Sequence, residues 1–525
     1  MNKNTTGTEN VALGFDSLYD NTTGSYNTAL GTYALEDNTT ANYNVAVGYK
    51  ASQLNTTGTV NTSIGCFALQ SNTTGDSNTA VGYSCLDANT TADGNTAVGR
   101  SALGANTTGS LNTAVGRSAL LVNTTGAENV AIGAYALDAN TTASYQVAVG
   151  YLALTSNTTG NANTAIGYES LKTNTVGDRN TAVGYQSLRD ANPSSNADTY
   201  NTAFGYHSGV SLTTGQRLTA IGGQAGDALT TGNDVTAVGY SAYSGGNGSH
   251  NTAVGSYSMD AAVTGDYNTA IGRDSLGALT SGDYCTGLGA YALFVNTTGA
   301  YNTAVGGNCM FDNTTGSYNT GVGHESLANN TTASYCTAVG RYALYTNTTG
   351  NDNVAVGNRA LYSNTTATDC VAVGYKALED SNANYCTAVG EQALTNNTTG
   401  DVNTAVGQRA LKDCTTGRIN TAVGGNAMDG LSTGENNTAL GYEAGDDCST
   451  GSHNVFLGFY AGRSQGNSST NLYIARGSSG SGNAAVWIYG NSSGACYQGN
   501  NSSTWSTTSD ICLLYTSPSP RDKTV

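Results

Sequence analysis

The sequence predicts an all-β fold, an elongated parallel β-solenoid (a β-roll) of seventeen-residue coils. Three observations predict it. Glycine recurs at a step of seventeen from Gly14 through Gly31, Gly48 and Gly65 to Gly184, and the beat continues with small slips to Gly458. Each of the 27 copies repeats one unit, typified by Asn112-Thr113-Ala114-Val115-Gly116, Ala119-Leu120 and Asn123-Thr124-Thr125-Gly126. No stretch shows the 3.6-residue apolar period of a helix. A short fixed period over most of a chain is the mark of a solenoid, in which each unit contacts mainly its neighbours.

Numbered from the Asn of Asn-Thr-Ala-Val-Gly, positions one to four are expected to form a strand. Glycine at position five tolerates a bend or a close backbone approach. Positions six to nine, as in Tyr151-Leu152-Ala153-Leu154, are expected to form a second short strand. Positions twelve to fifteen, Asn-Thr-Thr-Gly, carry turn chemistry. The aliphatic residue at position four and Leu at position nine are expected to point inward, and Ala at three and eight outward, by the two-residue period of a strand. Apolar residues of both parities imply that both strand faces are covered. The simplest cover is another copy of the chain, so a symmetric homo-oligomer is expected. Stacked at about 4.8 Å, 27 coils reach about 130 Å.

Composition narrows the function. Only 10% of residues are charged and the net charge is −17. With 19 basic residues thinly spread there is no stripe to track phosphates, so nucleic acid is not an expected partner. No apolar run reaches membrane-spanning length, so membrane insertion is not expected. Met1–Gly7 already reads as repeat, without a signal-peptide pattern. The 11 cysteines do not make a disulfide framework. Cys285, Cys336, Cys370 and Cys386 each replace the first Asn of a unit and are expected to remain free thiols.

Chemistry is sparse. His207, His250, His324 and His453 fall in different registers, with no metal-ligand spacing. No cofactor, no metal and no catalysis by the repeat is expected. The Asn-Thr-Thr triplets fit the N-glycosylation pattern, but read better as a ladder of side chains closing turns. Tyrosines just before the first position, such as Tyr267, Tyr301, Tyr318 and Tyr335, form rows that could stack on sugar rings or pack against the next coil. The region from Leu188 to Asp283 is the least regular. Asp190–Asp198 and Ser244–His250 interrupt it, and solenoid insertions map to loops and often to binding faces.

Residues 459–508 are expected to be a β-rich closing segment. Asn471–Ala475 and Ala484–Gly490 read as strands that cover the end of the solenoid of residues 1–458. Residues 512–525 depart in composition from the rest. Cys512–Asp522 is what a transposase-type sequencing adapter encodes when translated, so 512–525 is excluded from fold reasoning and the natural chain is expected to continue past Ile511.

The unit Asn95-Thr96-Ala97-Val98-Gly99, Ser101-Ala102-Leu103, Gly109 resembles the left-handed β-roll repeats in the heads of trimeric autotransporter adhesins, with longer turns. It is more similar still to repeats of phage tail-fibre and related virion shaft proteins. Thr504–Ile511 resembles the entry to the intramolecular chaperone domain of phage tail spikes. These resemblances imply a left-handed trimer. They imply a virion-tail or extracellular, cell-surface location, and a role as a shaft that holds or forms a receptor surface, cell-surface glycan included. They also imply that Ser509 and Asp510, in the stub 509–511, are the remnant of a self-cleavage site. Two other roles fit the repeat: a self-assembling extracellular filament, and an ice-binding solenoid. The ice-binding reading rests on Thr at position two, as in Thr96, Thr113, Thr164, Thr181 and Thr202, a row broken by Val130 and Val147.

Overall fold

A computed structural model describes residues 2–195, 197–463, 466–476 and 485–498. The protein is a parallel β-solenoid of about 27 coils, and no helix occurs among the described residues. It comprises two compact units, Met1–Tyr301 and Asn302–Val525, the first with seventeen three-residue coil strands and the second with ten.

Each coil contributes one strand, at positions two to four. Thr113–Val115 is typical. Successive strands pair in parallel and in register, Thr96 with Thr113, Ala97 with Ala114 and Val98 with Val115. The expected strand at positions six to nine is absent. Tyr151–Leu154 and its equivalents form consecutive turns, because positions seven, nine and seventeen lie in the left-handed region: φ is 56° at Ser118, 52° at Leu120 and 59° at Glu128. A non-glycine residue there costs about 1–2 kcal/mol. Hydrogen bonds between coils offset that cost. The Ser118 and Glu128 amides donate to Arg100 and Ser110 in the preceding coil, and the Leu120 amide donates to Ala136 in the next, at 2.9–3.0 Å. The backbone ladder therefore continues around the turns as well as along the strands.

The strand parity is opposite to expectation. Ala at position three is fully buried, as at Ala97 and Ala114, and Ala at position eight is buried too. The aliphatic residue at position four faces out: Val98 is 36% and Ile132 40% exposed. The interior is narrow, and Leu at position nine already fills it, as in the cluster of Leu18, Ala29, Ala34, Leu35, Ala46 and Ala51. Only a methyl fits opposite that leucine. The inward Leu of position nine is as the sequence suggested.

Two columns of buried asparagine complete the core. Asn123 donates through Nδ2 to Asn106 Oδ1 in the preceding coil and to the Gly126 carbonyl in its own, both at 2.9 Å. In the other column the Asn112 amide donates to Asn95 Oδ1, and Asn112 Nδ2 donates to the same Gly126 carbonyl. Thr124 Oγ1 reaches the Thr141 carbonyl at 3.0 Å. Buried amides are stable only when satisfied, and the repeat satisfies each with the next. The Asn-Thr-Thr triplets are this ladder. Asn123 has no exposed surface on which a sugar could be attached.

Slips in the period are absorbed without loss of register. Thr181 still pairs with Thr202 across the four-residue insertion, which is tied down by a short ladder of Gly177–Asp178 with Ala197–Asp198. Where Ser244–His250 shortens a coil, Tyr243 is buried at the leucine position. Its hydroxyl donates to the Gly248 carbonyl at 2.8 Å, the service that position-twelve Asn gives elsewhere. Each of the ten described cysteines is a free thiol. Near the end of the second unit, Leu472–Arg476 pairs in parallel with Val455–Leu457 and antiparallel with Ala485–Gly490, which pairs with Cys496–Gln498.

Candidate functional surface

The coil presents four kinds of outer surface. Positions thirteen and fourteen are threonine-rich; the position-thirteen hydroxyls bond to the next coil, as Thr107 Oγ1 does to the Thr124 carbonyl at 3.0 Å, while position-fourteen residues such as Thr108 are exposed. Positions seven and ten carry ion pairs between successive coils: Arg359 with Glu379 at 2.6 Å, Arg409 with Asp429 at 2.7 Å and Glu443 with Arg463 at 2.9 Å. Positions two and four, the outer face of the strand ladder, are different. Position two is Thr or Val in all 27 strands, and position four is Val, Ile, Leu or Phe in all of them; none is charged. On this face Val98, Ile132, Ile166 and Leu288 are 36–43% exposed.

Aromatic rows lie at positions six, seven and seventeen. Their geometry follows from which position each coil uses. When successive coils both use position six, the rings stack, as in Tyr168 and Tyr185 at 5.1 Å and 7°. The same holds at position seventeen, where Tyr267 and Tyr284 stand 5.0 Å apart at 3°, and Tyr284 and Tyr301 5.1 Å apart at 10°. When coils alternate between six and seven, the rings meet edge to face, as in Tyr240 and Tyr257 at 82°. Position seven leaves the coil from a left-handed residue, so its side chain takes a different direction. The position-seventeen tyrosines thus pack chiefly on one another, with stacked faces turned inward along the row. In the second unit Tyr318 and Tyr335 do the same at 5.1 Å.

The histidines do not converge. His250 stacks on Tyr267 at 4.6 Å, His207 lies against Tyr206 at 3.9 Å, His324 is beside Glu325, and His453 is in a separate coil. No group of three or more His, Cys, Asp or Glu that could hold a metal ion occurs among the described residues. Burial pushes the thiols of Cys85, Cys309 and Cys414 up to about 12, which leaves them unreactive as nucleophiles. The Cys370 thiol is also raised, by the adjoining Cys386 thiol and by burial. Ser509 and Asp510 lie outside the described residues, as does the tail 512–525. No helix among the described residues is long and apolar enough to cross a membrane.

The outward aliphatic row was not legible as such, since the sequence shows which positions are apolar but not which face each takes. The signal that could have found it is size. Position three is Ala, Gly or Ser in almost every coil, whereas position four is never small. No known protein family matches the chain, and neither does any curated protein.

Proposed function

We propose that the protein is a structural shaft of a tail fibre or similar adhesive surface filament, and that copies of the chain associate through the outer face of the strand ladder. One observation carries this reading: an aliphatic or aromatic residue at position four in every coil, facing out, with no charge at position two or four. A contiguous apolar surface of that extent marks an interaction site on a soluble protein. A three-residue strand face offers about 50 Å² per coil, so the seventeen coils of the first unit present roughly 800 Å². That is what one partner contributes to a standard specific interface. The resemblance to trimeric fibres favours three copies, and the ion pairs and threonine turns stay outside as a polar surface. Light scattering on the full chain at micromolar concentration tests the reading. A mass near three times that of the chain supports it, and clean monomers refute it.

A second reading has its own observation. Thr164, Thr181, Thr202, Thr219, Thr236, Thr252, Thr269 and Thr286 form an unbroken, in-register row on this same face. A regular threonine and aliphatic lattice can order water, as an ice-binding surface does. The two readings exclude each other, because association buries the lattice. Thermal hysteresis in a monomeric preparation would support the second.

A further inference from the structure

A cavity of about 300 Å³ opens on the first unit over Gly104, between Asp87 and Leu121. A run of small side chains makes it: Ser84 and Ser101 at position seven and Gly104 at position ten. Gly104 is outside the left-handed region, so the backbone does not demand a glycine there. At Gly277, also position ten, the next coil fills the space, and a Cβ would stand 3.0 Å from Phe294 Cε2. At Gly104 a Cβ would meet Asp87 Oδ1, Leu121 Cδ1 and the Ser101 carbonyl oxygen only at 3.5 Å, so the space stays open. Asp87 also lacks a counter-charge. Other position-ten carboxylates take a cation from position seven of the preceding coil, as Glu379 does from Arg359 and Asp429 from Arg409. For Asp87 that position is Phe67, and no ion pair reaches its carboxylate among the described residues. Burial raises the carboxyl above its ordinary range, offset only by the amides of Asp87 and Ala88.

We propose that this cavity binds a primary alkylammonium ion. The ammonium takes the place of the missing position-seven cation beside Asp87, and its carbon chain lies along Leu121 and Val122 on the far wall. An ammonium carries three N–H donors and no acceptor. Asp87 Oδ1 and the Ser101 carbonyl oxygen converge on the space over Gly104, and the residues Ser84 and Ser101 line it, so carboxylate, carbonyl and hydroxyl acceptors are all at hand. The volume is at the small end of ligand sites, which suits a short amine. The net charge of −17 draws cations to the surface and repels anions. The cavity is built from positions seven, ten and eleven, apart from the outer strand face, so it stands independently of the shaft reading.

The test is saturation-transfer NMR of n-butylammonium with the full chain at pH 8 and low salt, with 1-butanol and n-butanesulfonate as neutral and anionic comparisons. Transfer to the butylammonium methyl group is expected, with a dissociation constant on the order of 1 mM for so small a ligand. Transfer to 1-butanol should be several-fold weaker, and none should reach the sulfonate. Asp87→Asn should weaken binding roughly tenfold, and Gly104→Leu should abolish it by filling the cavity. Both changes suit the coil, since Gln70 and Leu121 already hold position ten in nearby coils. Asp138→Asn removes another half-buried position-ten carboxylate, one that already accepts from Thr155 Oγ1 at 2.5 Å, and should leave binding within about twofold of wild type. No transfer to butylammonium, equal transfer to 1-butanol, equal loss from Asp87→Asn and Asp138→Asn, or undiminished binding by Gly104→Leu would overturn the site.

Discussion

Ala97 and Val98 are neighbours on one three-residue strand, yet Ala97 has no exposed surface and Val98 leaves 36% of its own in solvent. The smaller residue is inside because the lumen is filled by leucines such as Leu103, not because it is the more apolar. Enlarging the two has opposite consequences. Ala97→Leu should destabilise the coil by about 3 kcal/mol, since overpacking here presses on backbone as well as side chains. Val98→Leu should stay within about 0.5 kcal/mol. Denaturant unfolding of both variants checks the difference.

Gly116 stacks on Gly133 of the next coil with φ near +140°, and a Cβ there would stand 2.5 Å from the Gly133 carbonyl oxygen. Gly116→Ala should cost more than about 3 kcal/mol, from backbone strain and a contact that only backbone movement can relieve. Local loss of amide protection in the coils of Gly99, Gly116 and Gly133, read by hydrogen exchange, is the expected signature.

The asparagine ladder gives a contrast within one position. Asn123→Ala leaves Asn106 Oδ1 without its donor and takes one of two acceptors from Asn140 Nδ2, which keeps the Ala143 carbonyl, and should cost about 2 kcal/mol. Asn123→Leu should cost less, because Leu212, Leu229, Leu279 and Leu431 occupy the same position and are fully buried. Melting temperatures of the two variants should rank in that order.

Thiol labelling reads burial directly. Under native conditions iodoacetamide should modify Cys66 and Cys496, which reach solvent, and leave the other eight described cysteines intact. Peptide mass spectrometry distinguishes them. Modification of Cys370 or Cys386 without denaturant would contradict the packed interior.

Asp446 gives a pH dependence. Burial, with Asp429, Glu443 and Asp447 nearby, lifts its carboxyl to about 6. A raised acid binds its proton more tightly in the folded state. Its contribution is therefore fully present below the unfolded value near 4, falls as pH rises to about 6, and is absent above that. Asp446→Asn should stabilise the last coils at pH 7–8 by on the order of 1 kcal/mol, allowing for its partial solvent contact, and should flatten the pH profile between 4 and 6. Hydrogen exchange in residues 437–463 follows it.

Much of the fold was readable because period and turn chemistry are written one coil at a time. The seventeen-residue step, the glycine at position five and the inward leucine at nine all follow from residues such as Gly116 and Leu120. What escaped was conformational. Nothing in Ser118, Leu120 or Glu128 announces a left-handed backbone, which these residues adopt only because neighbouring coils supply hydrogen bonds for it. With the turns misassigned, the parity of Ala114 and Val115 was also missed, since two adjacent apolar residues fit either face. The edge-to-face aromatic run from Phe15 to Tyr83 was half legible. The alternation of positions six and seven is in the sequence, but the ring angles it produces depend on the backbone at Tyr33 and Phe67.

The central claim is that copies meet through the outward position-four row. Cysteine cross-linking tests it most directly. In a Cys66→Ser, Cys496→Ser, Cys512→Ser background, Val115→Cys places a thiol on that row, and Thr124→Cys places one on the threonine turn. Mild oxidation of the Val115→Cys chain should give covalent dimers on a denaturing gel, while the Thr124→Cys chain stays monomeric. Monomers from both chains, or dimers from Thr124→Cys alone, would contradict association through this face.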